Sequence, residues 1–237
     1  MQKKPPQLNC HTCSGRSKGI FCDLKRVELD KLDAEKNANY YKKGQSLFLS
    51  GNPPYGLYCI HKGQVKVSKI NSDGKETIVR IVGEGGVLGH RSLFSESPYT
   101  ATATVMSDSV ICFVSKSTMQ GLIQDDPRLS YKIISRVSDE MGAAEDKLAS
   151  MARKSVRERF AETLLLLKEN FGVQEGSRIK LDVSLTREEM ASMVGAASEN
   201  ITRLITDYKN EGYISQEGKV LFVEDVEALE REAALGY

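Results

Sequence analysis

Five cysteines are the residues of this sequence readiest to do chemistry: Cys10 and Cys13 as a Cys-x2-Cys pair, then Cys22, Cys59 and Cys112. The opening Met1-Gln2-Lys3-Lys4-Pro5-Pro6 lacks the apolar core of a secretion signal. The cysteines are therefore expected as reduced thiols or metal ligands, not as a disulfide framework. Thiolate sulfur suits the iron of an iron–sulfur cluster and equally a tetrahedral zinc. Paired cysteines also occur with no metal, so all three outcomes stay open. His11 lies between Cys10 and Cys13 and could replace a thiolate at zinc. Cys59, between Tyr58 and Ile60 in an apolar run, is expected in the core. No nucleophile–base pairing stands out, so catalysis is not expected. Gly83-Glu84-Gly85-Gly86-Val87-Leu88-Gly89 is glycine-rich, but no helix is expected after it to complete a phosphate-binding loop.

A second chemistry lies near the C-terminus. Glu199, Thr202, Arg203 and Thr206 recur at i, i+3, i+4 and i+7, opposite the apolar set Ile201, Leu204, Ile205 and Tyr208. The helix they predict runs from about Ser198 to Glu211. Arg203 could fork onto guanine O6 and N7, Glu199 could accept from cytosine N4, and Thr202 could touch a thymine methyl, with Ser198 beside them. The same stripe would serve as a solvated helix face. Upstream, Thr186-Arg187-Glu188-Glu189 is a capping box, Met190 and Val194 face inward, and Gly195 supplies a turn. Helix, glycine turn and helix predict a helix-turn-helix. Gly212–Ser215 and Val220–Val223, around a turn at 216–219, predict a hairpin wing.

Charge constrains these readings. Thirty-three Lys+Arg against 32 Asp+Glu leave a formal charge of +1, which excludes a polycationic coat and requires any nucleic-acid contact to be a local patch. From Arg153 onward there are 12 Lys+Arg against 16 Asp+Glu, a balance of −4. Glu224, Asp225, Glu227, Glu230 and Glu232 crowd the tail, which would then point away from DNA.

The elements that must position these groups separate by period. The 237 residues, 40% hydrophobic and 27% charged, suit one large domain or two small ones. Residues 1–30 form a cysteine-bearing segment. Residues 31–125 read as a β-roll, because from about Tyr40 to Met119 short β-branched or aromatic runs alternate with glycines and Asp73-Gly74 marks a hairpin. Residues 126–154 read as a long helix opened by Asp126-Pro127. Its apolar positions Ile134, Val137, Met141, Ala144, Leu148 and Met151 step by 3, 4, 3, 4 and 3, the narrow seam expected of a homodimer interface, the alternative being a single helix lying on the barrel. Residues 155–237 hold the DNA-binding part, opened by a Ser155/Glu158 capping box on a helix that buries Phe160, Leu164 and Leu167 and stops at Gly172. The fold class expected is α+β. No apolar run reaches the length of about 20 residues that spans a bilayer, so a cytoplasmic chain without membrane contact is expected.

Roll, long helix and winged helix-turn-helix in this order resemble the family of the cyclic-AMP receptor protein and the FNR oxygen-responsive regulators, over nearly the whole chain. The specific part is Leu185–Gly195 followed by Glu199-Asn200-Ile201-Thr202-Arg203-Leu204. The resemblance implies a transcription regulator that binds double-stranded DNA as a homodimer. Residues matching Glu199 and Arg203 read a TGA-type core in each half of a palindrome, and Thr202 matches a serine of FNR-type members. It further implies that the Asn71–Lys75 hairpin touches RNA polymerase.

The effector follows from departures as much as from matches. Cyclic-AMP-binding members hold their ligand with a glutamate after a glycine and an arginine downstream; here His90 follows Gly89 and Tyr99-Thr100 fills the second place. Both ligand contacts are missing, with Arg91 out of register, so cyclic nucleotide is not the expected effector. FNR-type sensors hold a [4Fe–4S] cluster with three N-terminal cysteines and a fourth in a strand, which implies Cys10, Cys13, Cys22 and Cys112 as the ligands here. Arg16, Lys18 and Lys25 would offset its charge. The eight-residue gap from Cys13 to Cys22 is wider than in FNR itself. FNR also carries an acidic residue in its helix seam, where the matching position here is Ala144. Two rivals accompany this reading: a regulator of the same fold responding to a small molecule in the roll, and a zinc or cluster redox protein that does not bind DNA.

Overall fold

The computed structural model describes residues 8–234. Two 3₁₀ turns, Cys10–Thr12 and Ser14–Lys18, precede α1 (Arg26–Glu35) and a run of eight strands. The strands are β1 (Asn37–Tyr41), β2 (Ser46–Phe48), β3 (Gly56–Lys62), β4 (Val65–Ile70), β5 (Glu76–Val82), β6 (Val87–Leu88), β7 (Thr102–Val105) and β8 (Ser109–Ser115). A short α2 (His90–Ser95) interrupts them, and α3 (Lys116–Asp125) and the long α4 (Arg128–Arg153) follow. The C-terminal elements are α5 (Val156–Phe171), β9 (Gly172–Glu175), β10 (Arg178–Leu181), α6 (Arg187–Val194), α7 (Ser198–Asn210), β11 (Ile214–Glu217), β12 (Val220–Val223) and α8 (Val226–Ala234). The chain divides inside α4 into one compact unit ending at Gly142 and a second beginning at Ala143, with Glu76–Ile78 grouped with the second.

The first unit is the expected roll. Two four-stranded sheets, ordered β1-β8-β3-β6 and β2-β7-β4-β5, face each other. Ile60, Leu88 and Ile111 of one sheet meet Val65, Val67, Ala103 and Val105 of the other in a single apolar core. The alternation of strand side chains drives this: inward positions are buried while their neighbours turn out. The Asp73-Gly74 turn joins β4 to β5, with Gly74 at φ +79°, the left-handed region that glycine enters freely. A second apolar layer forms where α1, α3 and the start of α4 cover the outer face of β3 and β8, using Leu29, Leu32, Met119, Leu122, Leu129 and Ile133.

In the second unit both capping boxes form as their sequences predict. Ser155 Oγ accepts from the Glu158 amide at 3.3 Å while the Glu158 carboxylate accepts from the Ser155 amide at 2.6 Å. Thr186 and Glu189 do the same at 3.1 and 3.0 Å. Sheet β11-β12-β10-β9 supplies the wing. Tyr208 is fully buried against Phe160, and its hydroxyl donates to the Arg157 carbonyl at 3.0 Å.

One expectation is corrected. A helix, α2, does follow the glycine-rich 83–89 stretch. The stretch is nevertheless occupied by folding: the Gly85 amide donates to the Ile60 carbonyl at 2.9 Å and the Gly86 amide to Gly83 at 3.1 Å. Amides paired in this way are not free to cradle phosphate. Among the described residues no helix is long and apolar enough to cross a membrane.

Candidate functional site

The reading stripe sits where the periodicity puts it. In α7, Ile201, Leu204, Ile205 and Tyr208 are buried, and Glu199, Thr202, Arg203 and Thr206 are exposed. Among the described residues neither Glu199 nor Arg203 makes a side-chain hydrogen bond or ion pair, so both heads are available to a partner. The Thr202 hydroxyl donates to the Ser198 carbonyl at 2.9 Å, which leaves its methyl as the group to offer a base. The turn before α7 depends on Gly195 at φ +71°, closing α6 in the left-handed conformation. Arg159, which the sequence reading passed over, fixes that turn: its Nε donates to the Val194 carbonyl at 2.9 Å and its Nη2 to Gly195 at 3.2 Å. Arg187 ties α6 to the wing through Gln216 at 3.0 Å.

The cysteines fall into two groups. Cys10, Cys13, Cys59 and Cys112 line one cavity of about 50 Å³ together with His61, Arg16 and Lys36. Cys59 and Cys112 are direct cross-strand partners on β3 and β8. The Cys13 sulfur lies 3.3 Å from His61 Nδ1. The Cys10 amide donates to Asp33 at 2.6 Å, and Asp33 pairs with Lys36 at 2.5 Å. Burial pushes the Cys10 thiol up to about 12 and the Cys112 thiol up to about 11, with the nearby Lys36 ammonium opposing both. Desolvation likewise raises Cys59. Cys22 does not line this cavity; next to it Asp23 pairs with Lys132 at 2.7 Å. Cys59 does touch the apolar core as expected, but it also lines the cavity. His11 is outside it, 2.8 Å from Asp30.

A second and larger cavity, about 730 Å³, lies in the roll beside the first turns of α4, lined by Phe48, Arg80, Arg91, Tyr99, Ile133 and Val137 among others. At its edge Arg80 pairs with Glu140 of α4, which also meets His90 Nε2 at 3.2 Å and Arg136 at 3.0 Å. Burial alone would raise the Glu140 carboxyl, but His90 and Arg80 outweigh it and hold it down at about 2, against an ordinary value of 4.5. A depressed carboxyl contributes stability above its unfolded pKa and loses that contribution as pH falls towards the folded one. The displacement corresponds to roughly 3 kcal/mol. Urea unfolding of wild type should therefore weaken more steeply as pH falls from about 5 towards 2 than that of Glu140→Gln; parallel profiles would show that Glu140 makes no such contribution.

Comparison with known proteins agrees with this architecture. Residues 38–126 match the cyclic nucleotide-binding domain family and residues 158–232 the Crp-like helix-turn-helix domain family. The chain is 29% identical to a CRP-like cAMP-activated global transcriptional regulator of Mycobacterium tuberculosis, over 91% of this chain and 96% of that protein. It is 27% identical to the fumarate and nitrate reduction regulatory protein of Yersinia pestis, over 94% and 89%. In fold it is similar to FixK2 from Bradyrhizobium japonicum, at a TM-score of 0.76 and 21% identity over 85% of this chain and 99% of that one. Roll, long helix and winged reading helix, with both domain families matched in order, place the chain in the CRP/FNR family as a DNA-binding transcription regulator.

Proposed function

We propose that the chain acts as a homodimer on palindromic duplex DNA and senses redox or oxygen state through a [4Fe–4S] cluster at its N-terminal thiols. The observation that carries this reading is the gathering of Cys10, Cys13 and Cys112 at one cavity beneath the N-terminal turns. Thiolate donors are the chemistry that soft iron requires. Among the described residues no group of three ligating side chains is placed to hold a metal ion, so the reading rests on the shared cavity lining and on thiolate chemistry. When bound, the cluster supplies an oxidisable centre; the protein's part is to hold it against β3 and β8. The similarity to a fumarate and nitrate reduction regulator supports the same reading.

Dimerisation is argued from α4, where Ile134, Met141 and Leu148 are 62%, 62% and 73% exposed. Apolar side chains at seam spacing, left in water by a single chain, are the signature of a partner helix. The exposed Asn71–Lys75 turn is the part we assign to RNA polymerase.

A second reading has its own observation. The 730 Å³ cavity with Arg80 and Arg91 on its wall is large enough for a small anionic effector in the roll. One titration compares both readings with a redox protein that ignores DNA: binding of the anaerobic protein to palindromic and scrambled duplexes across a salt series. The proposal expects salt-dependent preference for the palindrome that changes on exposure to air. Equal, weak binding to both duplexes would reject DNA reading, and preference indifferent to air would favour the small-molecule reading.

A further inference from the structure

We infer that Cys59, and not Cys22, completes the thiolate set with Cys10, Cys13 and Cys112. This rests on the proposed metal centre and names its ligands. The four sulfurs come from three places that the fold brings to one cavity: the first 3₁₀ turn and its cap, β3, and β8. Two of the four are fixed by the sheet. Cys59 and Cys112 face each other in the β3–β8 register, so their side chains share one face regardless of what the N-terminal turns do. Cys10 lies in the first 3₁₀ turn and Cys13 at its C-cap, and both line the cavity that this pair lines.

Cys22 is held elsewhere. Its neighbours Ile20 and Phe21 are buried in the apolar layer under α1 and α3, and the adjoining Asp23 is paired with Lys132 at 2.7 Å. Upstream, Gly15 is pressed against the 83–86 loop so closely that a Cβ there would stand 2.9 Å from the Gly85 amide nitrogen. Phe21 itself reaches the cavity wall and Arg16 Nη1 donates to the Cys22 carbonyl at 3.3 Å, so the Cys22 backbone is close by while its side chain is not in the lining; turning that side chain inward would displace Ile20 and Phe21 from the core. The long Cys13–Cys22 gap is thus used to reach a core anchor, not to return a ligand.

An independent observation points to an anionic occupant. Among the described residues the Arg16 Nε is buried without a hydrogen-bond partner, and Arg16 lines this cavity. Lys36 lines it too, its ammonium paired with Asp33. A centre carrying four thiolates is negative, and an unpaired buried guanidinium nitrogen beside it gains the partner it lacks. Each thiol releases its proton to solvent as it binds.

The test compares full-length wild type, Cys22→Ala and Cys59→Ala, isolated anaerobically in parallel and assayed for iron, acid-labile sulfide and zinc per chain. Cys22→Ala should keep the wild-type metal content and visible spectrum; Cys59→Ala should lose most of the metal, several-fold or more. Circular dichroism checks the fold. Should Cys59→Ala not fold, Cys59→Ser preserves the strand and exchanges sulfur for oxygen, so its spectrum should shift while that of Cys22→Ser superimposes on wild type. Loss of metal from Cys22→Ala, or wild-type metal and spectra in both Cys59 variants, overturns the assignment while leaving the centre in place. Wild type free of iron, sulfide and zinc overturns the centre itself and the assignment with it. Iron with sulfide indicates a cluster and zinc alone a single ion, and the ligand assignment holds for either.

Discussion

Replacing Arg203 by alanine should weaken binding to the cognate palindrome by about 1–3 kcal/mol, roughly five- to 150-fold, and relax the choice at one guanine. Arg203 lies on the exposed side of α7 and, among the described residues, has no side-chain partner to give up, so the whole of its bidentate capacity is available to a base edge. Glu199 is one turn away on the same stripe. In a two-fold dimer the equivalent helices stand about 34 Å apart, so the sites should be inverted half-sites one helical turn apart. The measurement is a titration of wild type and Arg203→Ala against the palindrome, single-base variants and random duplex. Equal loss on all of them would mean that Arg203 touches phosphate and not base.

The metal-free wild type should be a dimer at micromolar concentration, and Ala144→Asp should break it. Ala144 is exposed on the stripe that includes Met141 and Leu148. FNR, which this chain resembles, carries an acidic residue at the matching place. Two facing carboxylates about 6 Å apart at an effective dielectric of 20 repel by near 3 kcal/mol, and each also loses hydration. Alanine removes that penalty, so the signal would reorient the DNA-binding units of a standing dimer instead of assembling it. Light scattering decides: a metal-free wild type found as monomer would show that Ala144 does not release the dimer from control.

What the sequence made legible, and what it did not, divides along physical lines. Local signals were sufficient where they were strong. Ser155/Glu158 and Thr186/Glu189 announced two helix starts, and the Ile201–Tyr208 period set the buried face of α7. Helix α1 was passed over because its stripe is narrow: Leu29 and Leu32 are buried while Val27 is 77% exposed. Helix α3 hides behind the strand-like run of β8, which leads straight into it at Lys116. The cysteines show the limit most clearly. Cys59 reads as core because it sits between Tyr58 and Ile60, and only the pairing of β3 with β8, set over more than fifty residues of separation, puts it opposite Cys112. Arg159 and Glu140 were invisible for the same reason, since their partners Val194, Arg80 and His90 are remote in sequence.

The central claim is that thiols at the N-terminal end of the roll hold an iron–sulfur cluster. It is tested most directly by isolating the full-length wild type without air, assaying iron and sulfide per chain, and following the visible spectrum as oxygen is admitted. The account predicts a brown protein with iron and sulfide in similar amounts, bleaching in air. A colourless protein carrying stoichiometric zinc, or no metal, would contradict it.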